Sequence, residues 1–345
     1  METVSSADFR NKVVVITGAS AGVGRATALA FARQGAKLGL IARDEAALAD
    51  TKAEIEALGT KAAVFPLDVA NAEAVLAAAQ RCEDMLGPID VWVNNAMATV
   101  FAAVTDLTPE EVRRVTEVTY LGYVHGTMAA LRHMRGPNGG AIVQVGSSLA
   151  YRGIPLQSAY CGAKHAIRGF TDSLRTELIH TGSPVRITAV HLPAVNTPQF
   201  DWARTRQGKL PRPVAPVYTP EVAARAILHA ARNPAREYWL GKMTPVVILA
   251  NMLAPGVLDR YLAANTIAGQ ERSEPVGTNR ADNLFAPVEG VHRKDGAFSD
   301  EARPQALLVQ GPLVRIGALL GACFLAGLGG AIAASRLKSR HRRLE

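Results

Sequence analysis

The residues best suited to chemistry are a serine, a tyrosine and a lysine. Tyr160 and Lys164 lie four positions apart in AYCGAKHAIRGF, one turn apart on one face of a helix. Ser147 ends the apolar run GAIVQVGS. A nearby ammonium stabilises a phenolate and lowers its pKa, so Lys164 prepares Tyr160 for proton transfer. A serine hydroxyl can hold a carbonyl oxygen as negative charge develops, and Ser148 is the alternative to Ser147 for this task. These residues predict interconversion of a carbonyl and an alcohol.

A glycine loop comes first in the chain, between an apolar run and a helix-like segment, in VVVITGASAGVGRATALAFA. Gly18, Gly22 and Gly24 would let the backbone turn tightly and approach a pyrophosphate at the helix N-terminus. The spacing differs from the common G-x-G-x-x-G, and a plain structural turn is the alternative interpretation. The loop predicts a nicotinamide dinucleotide cofactor.

The end of the next apolar run, LIARDE, bears on which dinucleotide binds. Ala42 stands where an acidic residue would bond the ribose 2′-hydroxyl, and Arg43 follows. A guanidinium pairs well with phosphate, which favours NADP(H) over NAD(H). The alternative is that Arg43 is a solvated loop residue and Asp44 caps the following helix.

These residues sit in a pattern of short apolar runs that alternate with amphipathic segments over the first 240 residues. Uniformly apolar strands separated by helices predict a parallel sheet covered on both faces. We expect an α/β, doubly wound, Rossmann-like fold with about seven parallel strands. The predicted strands are 12–17, 37–42, 62–67, 89–94, 141–146, 186–192 and 237–241.

The ordered motifs resemble the short-chain dehydrogenase/reductase family over about residues 10–245. They are TGASAGVG, LDV, NNA, GS, YCGAK and LPAVNT. The resemblance implies that the cofactor contacts the glycine loop, the ends of several strands, Tyr160 and Lys164, and that subunits pair into homo-oligomers. It also implies that Asp68 and Val69 border the adenine, that Asn95 and Ala96 support the cofactor cleft, and that Pro193 and Thr197 hold the nicotinamide end. The other predicted cofactor residues are Gly18, Ser20, Gly22, Val23, Gly24 and Arg43.

The sequence departs from the family pattern at three places. Met97 and Ala194 replace glycines, and Thr119 stands where many members carry an asparagine that anchors a water of the proton relay. Threonine can still bond a water, but it has one hydroxyl in place of an amide. We therefore include Thr119 among the catalytic candidates. Its presence also motivates an alternative function, a dinucleotide-binding sensor or scaffold without turnover.

The substrate side is less defined. The irregular stretch after Pro193 predicts a loop that closes over the substrate. Phe200 and Trp202 either form an apolar wall or anchor this loop on the core. Met97, Leu149 and Tyr151 are candidates for the opposite wall. The expected substrate is a small-molecule carbonyl compound or alcohol that is mainly apolar.

The C-terminal part has a different composition. Residues 1–265 are assigned to the catalytic domain, 266–312 to an irregular polar linker, 313–335 to a membrane helix and 336–345 to a basic tail. Residues 316–335 hold no charged side chain, and twenty residues of helix span about 30 Å, the thickness of a bilayer core. A buried or oligomer-forming helix and an interfacial segment are the alternatives. We expect membrane association with the catalytic domain on the cytoplasmic side.

Charge and cysteine usage exclude other classes. Five of the basic residues and one acidic residue fall in 336–345, which carries half of the net charge of +8. The remaining excess is spread over more than three hundred residues, so nucleic-acid binding is not expected. Cys82, Cys161 and Cys323 show no metal or redox spacing, and no metal site is predicted.

Overall fold

A single mainly parallel sheet organises the chain. The computed structural model describes residues 9–137, 139–277 and 279–321. The parallel strands are β1 Val13–Thr17, β2 Lys37–Ala42, β3 Ala62–Pro66, β4 Ile89–Asn94, β6 Ala141–Ser147, β7 Arg186–Leu192 and β10 Glu237–Leu240, and one antiparallel strand is β12 Leu308–Gln310. Together they form an eight-stranded sheet with the order β12-β10-β7-β6-β4-β1-β2-β3. The predicted doubly wound fold with parallel strands is confirmed.

Helices cover both faces of this sheet because each presents small or branched apolar side chains to it. One core cluster joins the sheet to α1, α2 and α8, and a second joins it to α3, α5 and α6. The larger helices are α1 Gly22–Ala32, α2 Glu45–Ala57, α3 Ala72–Leu86, α4 Pro109–Thr116, α5 Gly122–His133, α6 Ser158–His180, α8 Pro220–Arg232, α9 Met243–Leu253 and α10 Pro255–Asn265.

Short elements join these helices and strands. They are β5 Val100–Phe101, β8 Arg204–Thr205, β9 Lys209–Pro211, the single-turn helix α7 Gln199–Trp202, the 3₁₀ turns Val104–Asp106, Ser148–Ala150 and Ala268–Gln270, and a π-helical turn Glu117–Leu121 between α4 and α5. Because parallel strands share one carboxyl edge, Thr17, Ala42, Asn94, Ser147 and Leu192 all end on the same side of the sheet.

The segment 266–312 lies against the catalytic domain and contributes two short strands. β11 Glu271–Pro275 pairs with β9, and β12 Leu308–Gln310 adds the antiparallel edge beside β10. Between them, residues 283–298, named the strap below, run across the carboxyl edge of the sheet. The sequence pattern alone could not locate the strap, because the strap contacts residues that are far away in the chain.

Residues 311–321, named the C-terminal helix below, follow β12 directly. Across residues 9–137, 139–277 and 279–321, no helix has both the length and the hydropathy that crossing a bilayer requires. Most of the predicted membrane helix 313–335 and all of the basic tail 336–345 lie outside the described residues.

Candidate active site

The glycine loop forms the floor of the site. Gly18 and Gly22 have φ of 68° and 53°, a backbone region that favours glycine. A side chain at Gly24 would overlap the carbonyl oxygen of Gly18, so this glycine allows α1 to pack closely on the loop. Asn95 completes the floor, because its Nδ2 donates to the carbonyl oxygens of Thr17 and Gly18 over 3.0 and 3.3 Å.

A cavity of about 510 Å³ lies above this loop, at the carboxyl edge of the sheet. All predicted cofactor residues line it except Gly24, which packs behind the loop. The lining therefore includes Gly18, Ser20, Gly22, Val23, Arg43, Asp68, Val69, Asn95, Ala96, Tyr160, Lys164, Pro193 and Thr197. A tightly turned glycine loop beside an open cavity of this size fits a dinucleotide.

The tertiary structure brings Ser147, Tyr160 and Lys164 together in this cavity. Ser147 ends β6, whereas Tyr160 and Lys164 project from the first turns of α6. The Tyr160 hydroxyl is hydrogen-bonded to Ser147, which lowers its pKa, although burial has the larger and opposite effect and the pKa ends above its ordinary value. The contact with Tyr160 favours Ser147 over Ser148 as the serine of the site.

Lys164 is almost fully buried, with 3% of its surface exposed. Burial lowers the pKa of Lys164 to about 7, because desolvation disfavours the ammonium. Its Nζ donates to the Tyr123 hydroxyl over 3.0 Å and to the Val145 carbonyl over 2.8 Å. The ammonium also lies 5.6 Å from the centre of the Tyr160 ring.

Tyr123 is a site residue that the sequence analysis missed. It is buried on α5, and its hydroxyl donates to Val145 over 2.9 Å while it accepts from Lys164. The sequence feature that could have identified Tyr123 is its position one helical turn after Thr119, which places the two residues on one face.

Thr119 does not line the cavity. It is fully buried in the π-helical turn, where its hydroxyl donates to the Ala98 carbonyl and accepts from the Ala98 amide, both over 2.9 Å. The hydroxyl thus joins the turn to the segment after β4. This geometry gives Thr119 a part in positioning the site, and the proton relay at this position stays a prediction.

A buried polar network lies behind Ser147. His191 on β7 contacts the Ser147 carbonyl oxygen through Nδ1 at 3.1 Å, and its Nε2 lies 3.3 Å from the Glu237 carboxylate. Glu237 also pairs with Arg315 over 2.6 Å and accepts from the Tyr151 hydroxyl. Burial favours the neutral acid, but His191, Tyr151 and Arg315 outweigh it and lower the pKa of Glu237 to about 2. Sequence spacing gave no sign of this network.

One end of the cavity, named the adenosine end because the sequence analysis expects the adenosine there, is formed by Ala42, Arg43 and Asp44. Asp44 caps α2 by accepting from the Ala47 amide over 2.9 Å, and it lies 3.0 Å from His292. Asp68, which the family resemblance places beside the adenine, is paired with Arg114. Arg43 donates to the carbonyl oxygens of Asn283 and Leu284, and burial lowers the pKa of Arg43.

The strap forms a roof over the glycine loop and the adenosine end. The Gly22 amide donates to the Arg293 carbonyl over 3.1 Å, and Arg25 donates to the His292 carbonyl over 3.0 Å. Farther along, the Phe298 amide donates to the Asn196 side chain over 2.9 Å. The glycine loop is therefore covered by residues that are more than two hundred positions away in the chain.

The loop after Pro193 forms the substrate side of the cavity. Phe200 and Trp202 both line the cavity, and both are also anchored. The Phe200 ring lies 6.1 Å from Phe101 and from Phe298, and the Trp202 ring lies 5.0 Å from His292. Both interpretations of Phe200 and Trp202, as an apolar wall of the cavity and as anchors of the loop, therefore agree with the structure.

The geometry agrees with comparisons to known proteins. The sequence profile described as short chain dehydrogenase matches residues 12–208. The chain belongs to this family. It is 34% identical over 286 residues to the uncharacterized oxidoreductase YxnA of Bacillus subtilis, covering 82% of this chain and 80% of that protein. It is also 28% identical over 290 residues to the ketoacyl reductase HetN of a Nostoc species, covering 82% of this chain and 98% of that protein.

A solved structure has the same fold. It is an alcohol dehydrogenase from the archaeon Thermococcus sibiricus complexed with 5-hydroxy-NADP. The TM-score is 0.57 at 29% identity, and the match covers 66% of this chain and 95% of the other. The chain is accordingly a short-chain dehydrogenase/reductase oxidoreductase, and its family uses NAD(H) or NADP(H).

Proposed function

We propose that the protein is an NADP(H)-dependent oxidoreductase that interconverts an apolar carbonyl compound and its alcohol. The observation that carries the proposal is the convergence of Ser147, Tyr160 and Lys164 on one cavity above the glycine loop. A bound nicotinamide dinucleotide supplies the hydride in reduction and accepts it in oxidation. The dinucleotide would be held by the glycine loop, by Arg43, Asn95, Pro193 and Thr197, and by the other residues named above as lining the cavity.

The chain's own residues carry out the proton chemistry. In reduction, the Ser147 hydroxyl donates a hydrogen bond to the substrate carbonyl oxygen as negative charge builds on it. The Tyr160 hydroxyl then gives its proton to that oxygen, and the phenolate is stabilised by the Lys164 ammonium. Tyr123 and Val145 hold this ammonium in place. In oxidation, the same proton returns from the alcohol to Tyr160.

The cofactor preference is supported by the adenosine end of the cavity. No acid occupies position 42, and Asp44 is already engaged by the α2 amide and by His292. A free carboxylate for the 2′-hydroxyl of NAD(H) is therefore lacking at this strand end, whereas Arg43 lines the cavity and would exchange its bonds to the Asn283 and Leu284 carbonyls for a 2′-phosphate. An arginine here suits a 2′-phosphate.

The substrate class is supported by the other walls. Met97, Leu149, Ile154, Val214 and Val247 give the cavity an apolar surface. We further propose that the enzyme works at a membrane, held by its apolar C-terminal sequence with the catalytic domain on the cytoplasmic side, and that it pairs with a second copy. The charge distribution gives no support for nucleic acid as a partner.

The decisive experiment measures NADPH consumption over a panel of carbonyls, in the wild type and in Tyr160→Phe. The panel should contain apolar aldehydes, steroids, retinoids and 3-oxoacyl thioesters, the last because HetN is named a ketoacyl reductase. We expect a loss of about 10²–10⁴-fold in the variant, since its ring cannot donate a proton. Tyr238→Phe, at a buried tyrosine that does not line the cavity, is the matched control.

Two outcomes would contradict the proposal. Equal activity in Tyr160→Phe and wild type would refute the assigned proton donor. NADPH that binds tightly yet is oxidised by no member of the panel would favour the alternative function, a dinucleotide sensor or scaffold.

A further inference from the structure

Three helices beside the cavity expose an unusual number of apolar side chains. α9 has no charged residue over its whole length, Met243–Leu253. Leu253 at its end is 85% exposed, and Val257 at the start of α10 is 68% exposed. Leu319 on the C-terminal helix is 67% exposed. The other large exposed apolar residues of these helices are Met243, Val246, Met252, Tyr261, Leu313, Ile316 and Leu320.

Two of the three helices, α9 and the C-terminal helix, are joined around Tyr151. Ile248 of α9 and Val314 of the C-terminal helix pack on the same small apolar cluster, which contains Tyr151 and Trp239. Arg315 of the C-terminal helix donates to the Tyr151 hydroxyl over 2.9 Å. The exposed apolar side chains of α9, α10 and the C-terminal helix are together named the apolar face below.

Arg152 links α9 to α10 in the same way. It donates to Asn251 over 3.2 Å and pairs with Asp259. The single acidic residue of α9 and α10 is thereby neutralised. Lys242, directly before α9, and Arg260 on α10 are exposed and basic.

The apolar face adjoins the opening of the cavity. Met243 and Val247 of α9 line the cavity, and so do Tyr261, Leu262 and Asn265 of α10. Of the three helices that present apolar side chains to the outside, α9 and α10 thus also form a wall of the cavity. A large exposed apolar surface at such a place marks an interaction site.

We propose that the apolar face rests in the headgroup and upper acyl region of a lipid bilayer, and that an apolar substrate passes from the lipid into the cavity between α9 and α10. The second half of this proposal rests on the reductase function proposed above. Helices of this kind, with apolar side chains on one side and basic residues at the border, lie in the plane of the interface without crossing it.

The C-terminal sequence favours a lipid bilayer as the partner of the apolar face. The uncharged stretch 316–335 begins on the C-terminal helix and continues for fourteen residues past the last described residue, and five basic residues follow in 336–345. An apolar sequence with a basic flank is attracted to anionic lipid. A second protein on the apolar face would also cover the wall that Tyr261 and Leu262 form, whereas acyl chains would leave an apolar substrate free to enter.

The first test measures lipid contact directly, without catalysis. Tryptophan is introduced in the full chain by Leu253→Trp and, separately, by Val257→Trp. Wild-type fluorescence is subtracted, and the native Trp92, Trp202 and Trp239 are all buried. Vesicles of phosphatidylcholine and phosphatidylglycerol, with and without bromine in the acyl chains, provide the quencher.

We expect the added fluorescence to shift to the blue and to be quenched by the brominated vesicles. The matched control is Ile179→Trp, at a residue that is 72% exposed near the end of α6. It lies about 28 Å along the helix from Tyr160 and should not be quenched. Vesicle-bound protein in which Leu253→Trp escapes quenching would overturn the proposal, because the C-terminal sequence alone would then hold the chain.

The second test weakens the apolar face by the double change Leu253→Glu and Val257→Glu. Each lost apolar contact should lower vesicle partitioning about tenfold. Neither residue lines the cavity, so kcat for a water-soluble carbonyl should not change, while KM for a carbonyl dissolved in vesicles should rise. Unchanged partitioning together with conversion of a dimer to a monomer would overturn the proposal in favour of a second copy. An inactive enzyme would refute the reductase function alone, since the quenching test does not use activity.

Discussion

Removal of the Tyr123 hydroxyl probes how the chain controls the charge of Lys164. The Lys164 ammonium has three N–H donors, and the structure provides two acceptors for them, the Tyr123 hydroxyl at 3.0 Å and the Val145 carbonyl at 2.8 Å. Tyr123→Phe keeps the ring, which lies 4.6 Å from the ammonium, and deletes one acceptor. Besides the bond that this hydroxyl donates to the Val145 carbonyl over 2.9 Å, the variant thus removes one hydrogen bond to a buried charge.

The expected size follows from that bond. A hydrogen bond to a charged group contributes about 1.5–3 kcal/mol, and one pKa unit corresponds to about 1.4 kcal/mol. Burial already lowers the pKa of Lys164 to about 7, so the variant should lower it by about one to two further pH units. At neutral pH the ammonium fraction then falls about five- to fiftyfold, and the rate of reduction should fall in proportion.

The assay is the pH profile of kcat/KM for NADPH-dependent reduction in wild type and Tyr123→Phe. Because the ammonium is the active form, the alkaline limb should move to lower pH by about one to two units, and activity should recover on acidification. Tyr238→Phe also loses a buried hydroxyl bond, to Asn233 over 2.8 Å. This variant should lose about 1 kcal/mol of stability, and the alkaline limb of its pH profile should stay at the wild-type position.

An unmoved alkaline limb in a stably folded Tyr123→Phe protein would refute this reasoning. It would mean that Lys164 takes its charge state from groups other than Tyr123. A uniform loss of rate at every pH would likewise count against it, because that result signals misplacement of the site and not a changed pKa.

Three other predictions concern the cofactor end, the buried network and the strap. Arg43→Ala should raise KM for NADPH at least about tenfold and leave KM for NADH nearly unchanged, which steady-state kinetics with both cofactors would show; equal rises would contradict the assigned role. The pKa of Glu237 lies near 2 in the folded protein, below the unfolded value near 4.5, so its carboxylate stabilises the fold above pH 4.5 and this contribution is lost as the pH falls toward 2. Glu237→Gln should therefore lower the free energy of unfolding by about 3 kcal/mol at neutral pH and flatten the pH dependence of this free energy between pH 4.5 and 2, measured by chemical denaturation. An unchanged pH dependence would exclude the pairing of Glu237 with His191 and Arg315. In Gly296→Ala the added methyl group would overlap the Thr197 carbonyl and displace the strap, which should weaken NADPH binding in calorimetry, whereas Gly208→Ala enters open space and should bind normally.

Local sequence predicted the sheet and the reacting residues well, because both depend on short-range patterns. The seven predicted strands differ from the parallel strands found by at most two residues at either end. Tyr160 and Lys164 are four apart on one helix, and Ser147 ends its strand as expected. Strand periodicity and turn glycines act within a few residues, so they can be seen in the sequence itself.

The sequence by itself thus determined the fold class, the glycine loop and the Ser147, Tyr160 and Lys164 set. Only the tertiary structure decided what surrounds them: Tyr123 as a partner of Lys164, the Glu237 network behind Ser147, the strap over the adenosine end and the apolar face beside the cavity. These features join residues that are tens to hundreds of positions apart. Their contacts depend on how the chain packs on the sheet, and packing between distant segments has no period that a sequence displays.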